Sequence, residues 1–384
     1  MIQMMSAYTT EVDEVEDALT EILNQLDLAA LKKNSVGLVT CHFDFTDTGF
    51  IHELRKKLPF DIIGMTTMAS ANQYGFDMYA LTLTVLTSDD VTFETAITSP
   101  LGPDNYRERI AAAYNKTCGK LPGEPSMIIG FFPYLKMLSG AHMVTAFDEI
   151  CRGTPLWGSL ATNIDISYER CYAFRNSDDE QDALAMLLMY GPVDPEFIVV
   201  SIPKQNMREN RGIITGSDGC ILKEVNGVPA LKYFESLGIT IMSNATTVTP
   251  LLVYYEGSSE PVALGVYTIN DDGSLLCGGE MTKGASIAIG EISADGIIAT
   301  TGEGLQRLLQ SDRKNGALLL PCVTRYVMLA PNQIGEMELV AKTLKDGNLP
   351  YTMAYAGGEV CPVRDEAGVW RNRFHNYTFS ALAF

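Results

Sequence analysis

One pattern recurs three times along the 384 residues and limits the fold more than any other feature. It runs apolar strand, polar loop, short helix, proline, buried strand with a glycine, loop of small polar residues, returning strand. The first copy begins at residues 36–43. It continues through a helix striped by Phe50, Ile51, Leu54 and Leu58, then Pro59, a strand at 62–64, the loop MTTMASANQYG and an alternating strand at 77–86. The second begins at Met127 with SMIIGFF and the turn PYLKMLSG. A helix with Val144, Phe147 and Cys151 follows, then Pro155, Gly158, a polar hairpin around 176–180, and DALAMLLMYG. The third begins at Ala317 with ALLLPC, a loop holding Arg325, and a helix with Met337, Val340, Ala341 and Leu344. Pro350, LPYTMAYAGGE with Gly357, a variable loop and the strand NYTFSALAF complete it. Short apolar runs bounded by turn residues read as buried strands, and the intervening stripes as helices. Recurrence without a strict period excludes a solenoid and predicts internal duplication. Loops 66–69, 158–163 and 357–361 are then expected at equivalent strand ends.

The fold class is therefore mixed α/β (α+β), two pseudo-repeated halves with mixed sheets flanked by helices. A chain of this length needs more than one core. The halves are expected at 1–203 and 204–384, with the polar stretch PKQNMRENR as the link. Residues 10–31 predict an amphipathic helix capped by Thr10.

The formal net charge is −19. Such a surface repels phosphate backbones and anionic lipid, which argues against nucleic-acid and membrane-surface binding. No apolar run reaches the length of a membrane span, and the N-terminus lacks the basic flank of a signal peptide. Eight cysteines lie scattered without a CxxC pair, as in a reduced, cytoplasmic protein. The glycosylation-type triplets at Asn115, Asn244 and Asn376 are then without meaning. Metal-ligand spacings, phosphate loops and nucleophile elbows are absent, so no catalytic residue is assigned and no enzyme is expected.

The candidate site is the C-terminal stretch. Cys322 and Arg325 end an apolar strand, where α/β sheets place ligands. Arg325 suits a bidentate grip on a carboxylate, and the alternative is a structural ion pair with Glu336. Gly357 and Gly358 allow close backbone approach before Glu359, which receives an ammonium or closes a turn. His375 and Asn376 start the last strand with side chains on opposite faces. Together with Tyr355 these residues define a cleft for a small polar ligand such as an amino acid or organic acid. Removing Arg325 is expected to leave the fold largely intact. A cysteine nucleophile at Cys322 or Cys361 with His375 as base is the enzymatic alternative. Haem is not expected, since histidines number four and no haem motif is present.

ITGSDGCILKEVNGVPALKYFESLG resembles the start of the C-terminal half of the FIST domain family, and AYAGGEVCP…RFHNYT resembles that family's closing signature. PCVTR fits the same pattern, and LPFDIIGMTTMA matches the N-terminal half more loosely. The likeness covers about residues 35 to 384. It implies two halves, FIST-N and FIST-C, acting as an intracellular sensory domain for small ligands in signal transduction; some relatives bind haem and sense nitric oxide, which makes a haem-based gas sensor of the same fold the alternative reading. The chain departs from relatives that carry an output domain, which implies a separate signalling partner such as a histidine kinase or a cyclic-dinucleotide enzyme. The expected partners are thus a small-molecule ligand, that signalling protein and a second copy in a homodimer. The MTTM loop departs from the family's serine-threonine-glycine character.

Overall fold

The computed structural model describes residues 1–135, 138–151, 153–164, 169–242, 249–258 and 260–384. Asn244 and part of the PYLKMLSG turn lie outside the described residues. The first unit holds β1 (Gln3–Thr9), α1 (Val15–Asn24), β2 (Asn34–Cys41), α2 (Asp44–Asp47), α3 (Phe50–Lys57), β3 (Ile62–Thr66), β4 (Ala69–Asn72), β5 (Gly75–Asp77) and β6 (Leu81–Ser88). The second holds β7 (Thr92–Ile97), α4 (Tyr106–Cys118), β8 (Met127–Phe132), α5 (Gly140–Cys151), β9 (Leu156–Leu160), β10 (Ala173–Arg175) and β11 (Ala185–Tyr190). The third opens with β12 (Glu196–Val200). An excursion follows through β13 (Gly212–Asp218), β14 (Ile221–Val225), β15 (Val228–Pro229), α6 (Ala230–Ser236), β16 (Leu251–Tyr254), β17 (Val262–Leu264), β18 (Val266–Ile269), β19 (Leu275–Cys277) and β20 (Ser286–Ile289). The unit resumes with α7 (Ala294–Gln310), β21 (Ala317–Leu319), α8 (Val323–Met328), α9 (Gly335–Asp346), β22 (Tyr351–Tyr355), β23 (Glu359–Arg364), β24 (Trp370–His375) and β25 (Phe379–Ala383).

The three units share one strand order: β1-β6-β2-β3, β7-β11-β8-β9 and β12-β25-β21-β22. In each, the two inner strands joined by a helix are parallel and the returning strand is antiparallel. The repeat therefore begins one strand and one helix earlier than the sequence pattern suggests. The excursion forms its own eight-stranded sheet, inserted between β12 and α7. Inner faces of all three units meet in one apolar core, from Leu38 and Met65 through Ile129 and Trp157 to Leu318 and Leu382. The outer faces are covered by helices, and the inserted sheet has a core of its own.

No unit completes its own sheet. β10 of the second unit pairs with β3 of the first, hairpin β23–β24 of the third pairs with β9 of the second, and hairpin β4–β5 of the first pairs with β22 of the third. The strand ends are stitched in the same cyclic sense. Thr162 N–H donates to Thr66 O, Gly357 N–H to Leu160 O, and Met68 N–H to Tyr355 O. The three loops thus converge at one pole, as expected.

Several expectations need correction. The MTTMASANQYG loop is largely the β4–β5 hairpin, and the variable loop after Glu359 is the β23–β24 hairpin; both find ladder partners in another unit, which local pattern cannot reveal. The first helix spans only Val15–Asn24, because Glu11 turns back onto the N–H groups of Asp13 and Glu14. Gly357 is not the counterpart of Gly64 and Gly158. Register places Met353 at that rank, opposite Leu319, as Gly64 is opposite Val39 and Gly158 opposite Gly130.

Gly158 has φ +155, and a Cβ there would lie 1.8 Å from the Gly130 carbonyl oxygen. Backbone cannot yield as a side chain does. Gly158→Ala is expected to cost about 3 kcal/mol or more, the upper range of overpacking, whereas Gly302→Ala, in helix α7 with open space around it, is expected to cost far less. Urea denaturation of the two variants checks this.

Candidate ligand-binding site

Three junctions close the ring of sheets: β10 against β7, β4 against β1, and β23 against β12. The first is sealed by charge. Arg175 Nε donates to Thr95 Oγ1 at 2.8 Å, and Thr95 Oγ1 and Arg175 Nη2 both donate to Asp61 at 2.8 and 2.9 Å. The second is sealed by amides and a hydroxyl. Ser6 donates to Gln73 at 2.9 Å, and Gln25 occupies both backbone groups of Tyr8 on the outer edge of β1. The third is different. Phe197 and Trp370 touch edge to face at 5.1 Å, and beside them the junction opens into a cleft of about 770 Å³. That volume suits a small molecule with appreciable apolar surface.

His375 and Thr378 line the cleft, with β12 as one wall and Pro362–Arg364 and Trp370 as the other. The inserted sheet contributes Glu260 and Val262, and α7 contributes Glu303 and Arg307. Arg364 lies over the Trp370 ring, 4.3 Å from its centre, and Arg313 pairs with Asp194. Among the described residues, Lys204 and Arg307 have no ion-pair partner. The lining carboxylates Glu196, Glu260 and Glu303 are likewise in no ion pair among the described residues, so the cleft offers both signs of charge to a ligand.

The residues singled out from the sequence divide between two neighbourhoods. Arg325 is wholly buried and faces Glu336, also 0 % exposed, at 2.7 Å. Its remaining donors reach Tyr377 O, Ile297 O, Thr300 and Thr301, and Tyr355 donates its hydroxyl to the other Glu336 oxygen at 2.7 Å. Arg325 is therefore a structural ion pair under α7 and α9, not an open strand-end side chain. Helix α8 starts directly after Cys322 and turns Arg325 inward. Gly357 and Gly358 are engaged with Leu160 through backbone hydrogen bonds. Asn376 accepts from Gly265 N at 3.0 Å and donates to Tyr267, so it anchors the inserted sheet. It follows β24 rather than starting the last strand, which begins at Phe379.

Glu359 and His375 are cross-strand partners; His375 lines the cleft, and Glu359 lies wholly buried behind it. Thr378 donates its hydroxyl to Glu359 Oε2 at 2.6 Å, and among the described residues none donates a conventional hydrogen bond to Oε1. Burial pushes the Glu359 carboxyl up to about 8, against the opposing pull of Thr378, Cys322 and Arg325. His375 Nε2 lies 3.1 Å from Cys361 O, so Nε2 carries the proton and donates. Burial lowers that imidazole to about 4. Cys322 and Cys361 are buried; burial pushes the first thiol far up and the second to about 12, the reverse of what nucleophilic attack needs. Among the described residues no cluster of His, Cys, Asp and Glu is arranged to hold a metal, and no helix is long and apolar enough to cross a membrane. The cations Lys204, Arg307 and Arg364 escaped sequence reasoning because they come from three distant segments with no shared motif.

This is an α/β protein of three fused units with one open junction. The chain belongs to the FIST family: the FIST N domain matches residues 35–228 and the FIST C domain residues 230–362. FIST domains are sensory domains of signal transduction. No curated protein matches the chain. Among solved structures, a cyanuric acid hydrolase described as an "evolutionary innovation by structural concatenation" is similar, at 8% identity and a TM-score of 0.36, over 100% of this chain and 99% of that one. A cyanuric acid hydrolase from A. caulinodans gives 10% and 0.25, over 76% and 99%. PurLQS from Thermotoga maritima gives 10% and 0.20, over 100% and 72%. Likeness at this level is no guide to activity.

Arg325→Ala is expected to cost about 3–5 kcal/mol, because it strands the Glu336 carboxylate in the core; a drop in the chemical-denaturation midpoint reads it. A second expectation concerns pH. Glu359's folded value of about 8 exceeds its ordinary 4.5, so its contribution is full below 4.5 and is lost as pH rises through about 8. His375's value of about 4 lies below its ordinary 6.5, so its contribution is present above 6.5 and lost as pH falls through about 4. The two oppose each other in acid, leaving Glu359 to act alone between pH 6.5 and 8. Across that window the wild type is expected to lose stability relative to Glu359→Gln, which cannot ionise. Unfolding curves that stay parallel for the two proteins would contradict a protonated Glu359.

Proposed function

We propose that this chain is a cytoplasmic sensory protein whose cleft between β12 and the β23–β24 hairpin takes a small carboxylate-bearing molecule, an organic acid or an amino acid. Occupancy is passed to a separate signalling partner, such as a histidine kinase or a cyclic-dinucleotide enzyme. One observation carries the reading: of three topologically equivalent junctions, the third has exchanged its polar seal for a cleft lined by both cations and carboxylates outside any ion pair. Arg307 and Lys204 receive the carboxylate, and Trp370 with Phe197 covers the apolar part. Glu260 and Glu303 supply the opposite charge an amino acid's ammonium requires. The site includes His375, and Arg307 rather than the buried Arg325 receives the carboxylate.

The reading needs no haem, since the His375 nitrogen Nε2 is already held by the Cys361 carbonyl. It needs no nucleophile, since both neighbouring thiols are buried. A thermal-shift screen of succinate, citrate, L-aspartate and L-glutamate tests it. A ligand present at a hundred times its dissociation constant stabilises by about 2.7 kcal/mol. The stabilisation is expected to vanish in Arg307→Ala, an exposed substitution that leaves the fold intact. A ligand whose effect survives both Arg307→Ala and Arg364→Ala places the site elsewhere.

A further inference from the structure

The wall of the cleft formed by β12 is an unpaired sheet edge, and alternation along the ladder says which backbone groups are free. Leu320 N–H donates to Ser380 O and Cys322 N–H to Thr378 O, so the even-numbered residues of β25 turn their backbone groups toward β21. The odd ones, Phe379, Ala381 and Ala383, turn toward β12, where their partners are Val200, Ile198 and Glu196. Phe197 and Val199 therefore direct N–H and C=O outward into the cleft. Among the described residues neither is engaged. The corresponding edge of β1 is handled differently, for Gln25 satisfies both backbone groups of Tyr8. Strand β12 has no such cap. Unpaired edge groups lining a cleft are a template for an added strand.

The two faces of β12 set what that strand carries. Phe197 and Val199 point to the inner apolar core, beside Trp370. Ile198 and Val200 point outward, toward the α7 side, where Arg307 lines the cleft. Side chains directly opposite across a ladder share a face. A strand laid along β12 thus meets apolar surface with every second side chain and, with the others, the Arg307 guanidinium, which is in no ion pair and has Glu303 one turn before it on α7.

We propose that the ligand of this cleft is a short peptide of alternating apolar and acidic residues, bound in extended form as an added strand on β12. The proposal rests on the reading of the cleft as the ligand site and narrows the ligand's class: the carboxylates are carried on a peptide backbone that the protein also reads. The five residues of β12 set the length, and proline is excluded wherever the peptide amide faces Phe197 or Val199.

The probe is acetyl-Val-Glu-Val-Glu-Val-amide, whose blocked ends leave only side-chain carboxylates and backbone to be read. Titration calorimetry is expected to show saturable binding to the full chain. Methylating alternate backbone nitrogens is expected to weaken it roughly tenfold or more in one of the two registers, the effect of one or two lost hydrogen bonds. Val199→Pro removes an outward N–H without touching the β12–β25 ladder, and edge strands tolerate proline. It is expected to keep the thermal midpoint within a few degrees and lose the peptide, while any succinate stabilisation persists. Arg307→Ala is expected to lose both. Succinate uptake with no peptide uptake overturns this proposal and leaves the carboxylate reading standing; uptake of neither overturns both. Peptide binding indifferent to backbone methylation and to Val199→Pro overturns the added strand. So does a sedimenting dimer abolished by Val199→Pro without peptide uptake, which would assign the edge to a second copy of the chain.

Discussion

Each of the three sheets ends in a strand that belongs to another unit, and the rest of the architecture depends on that exchange. A strand lent to a neighbour is stable only while the neighbour's own strands are in place. The stitched strand ends at Thr66, Leu160 and Tyr355 and the shared core around Trp157 follow from it, since both need all three units at once. Contacts of this kind join residues far apart in the chain, such as Tyr355 with Ala69 and Val360 with Gly158. The family boundary near residue 229 lies inside the third unit, between its opening strand and its first helix. Neither side of that boundary holds a complete sheet system.

Among the described residues, the fully buried arginine and glutamates lie in the third unit. Arg325 and Glu336 sit beneath α7 and α9, with Thr300, Thr301 and Tyr355 completing their hydrogen bonds. Buried pairs are weak contributors to net stability but strict about geometry. Here the geometry they impose is the seating of α7, whose far end carries Arg307 into the cleft. The inserted sheet leaves the unit just before α7, and Asn376 holds it from the opposite side. The open junction is bounded by a wholly buried ion pair, an inserted sheet and a borrowed hairpin; among the described residues the first two have no counterpart at the other junctions, where the Asp61–Arg175 pair is partly exposed.

The repeat was legible because strand, helix and proline recur in order, and burial demands apolar residues at those ranks whatever the neighbours are. What local pattern could not carry was the partner of each hairpin. MTTMASANQYG and EVCPVR lack the apolar alternation of a free-standing strand because both faces are buried against other units. Arg325 was placed correctly next to Glu336 as one of two readings; only the turn of α8 decides between them. His375 lies at a cleft, but at one walled by β12 and without Cys322, Arg325 or Tyr355 in its lining. Arg307 did not announce itself, since an arginine on the solvent side of a helix is ordinary until a distant edge strand faces it.

The cyclic loan of hairpins has a consequence for how such a molecule can diverge. In a trimer of identical chains every substitution is made three times, so a junction cannot be loosened in one place alone. With the three units on one polypeptide, Asp61 and Arg175 hold the first junction shut and Ser6 and Gln73 the second, whatever happens at the third. Covalent linkage thus releases a single copy from the symmetry that built it. It also allows an entire extra sheet to be spliced in there, because the ring remains latched at its other two seams.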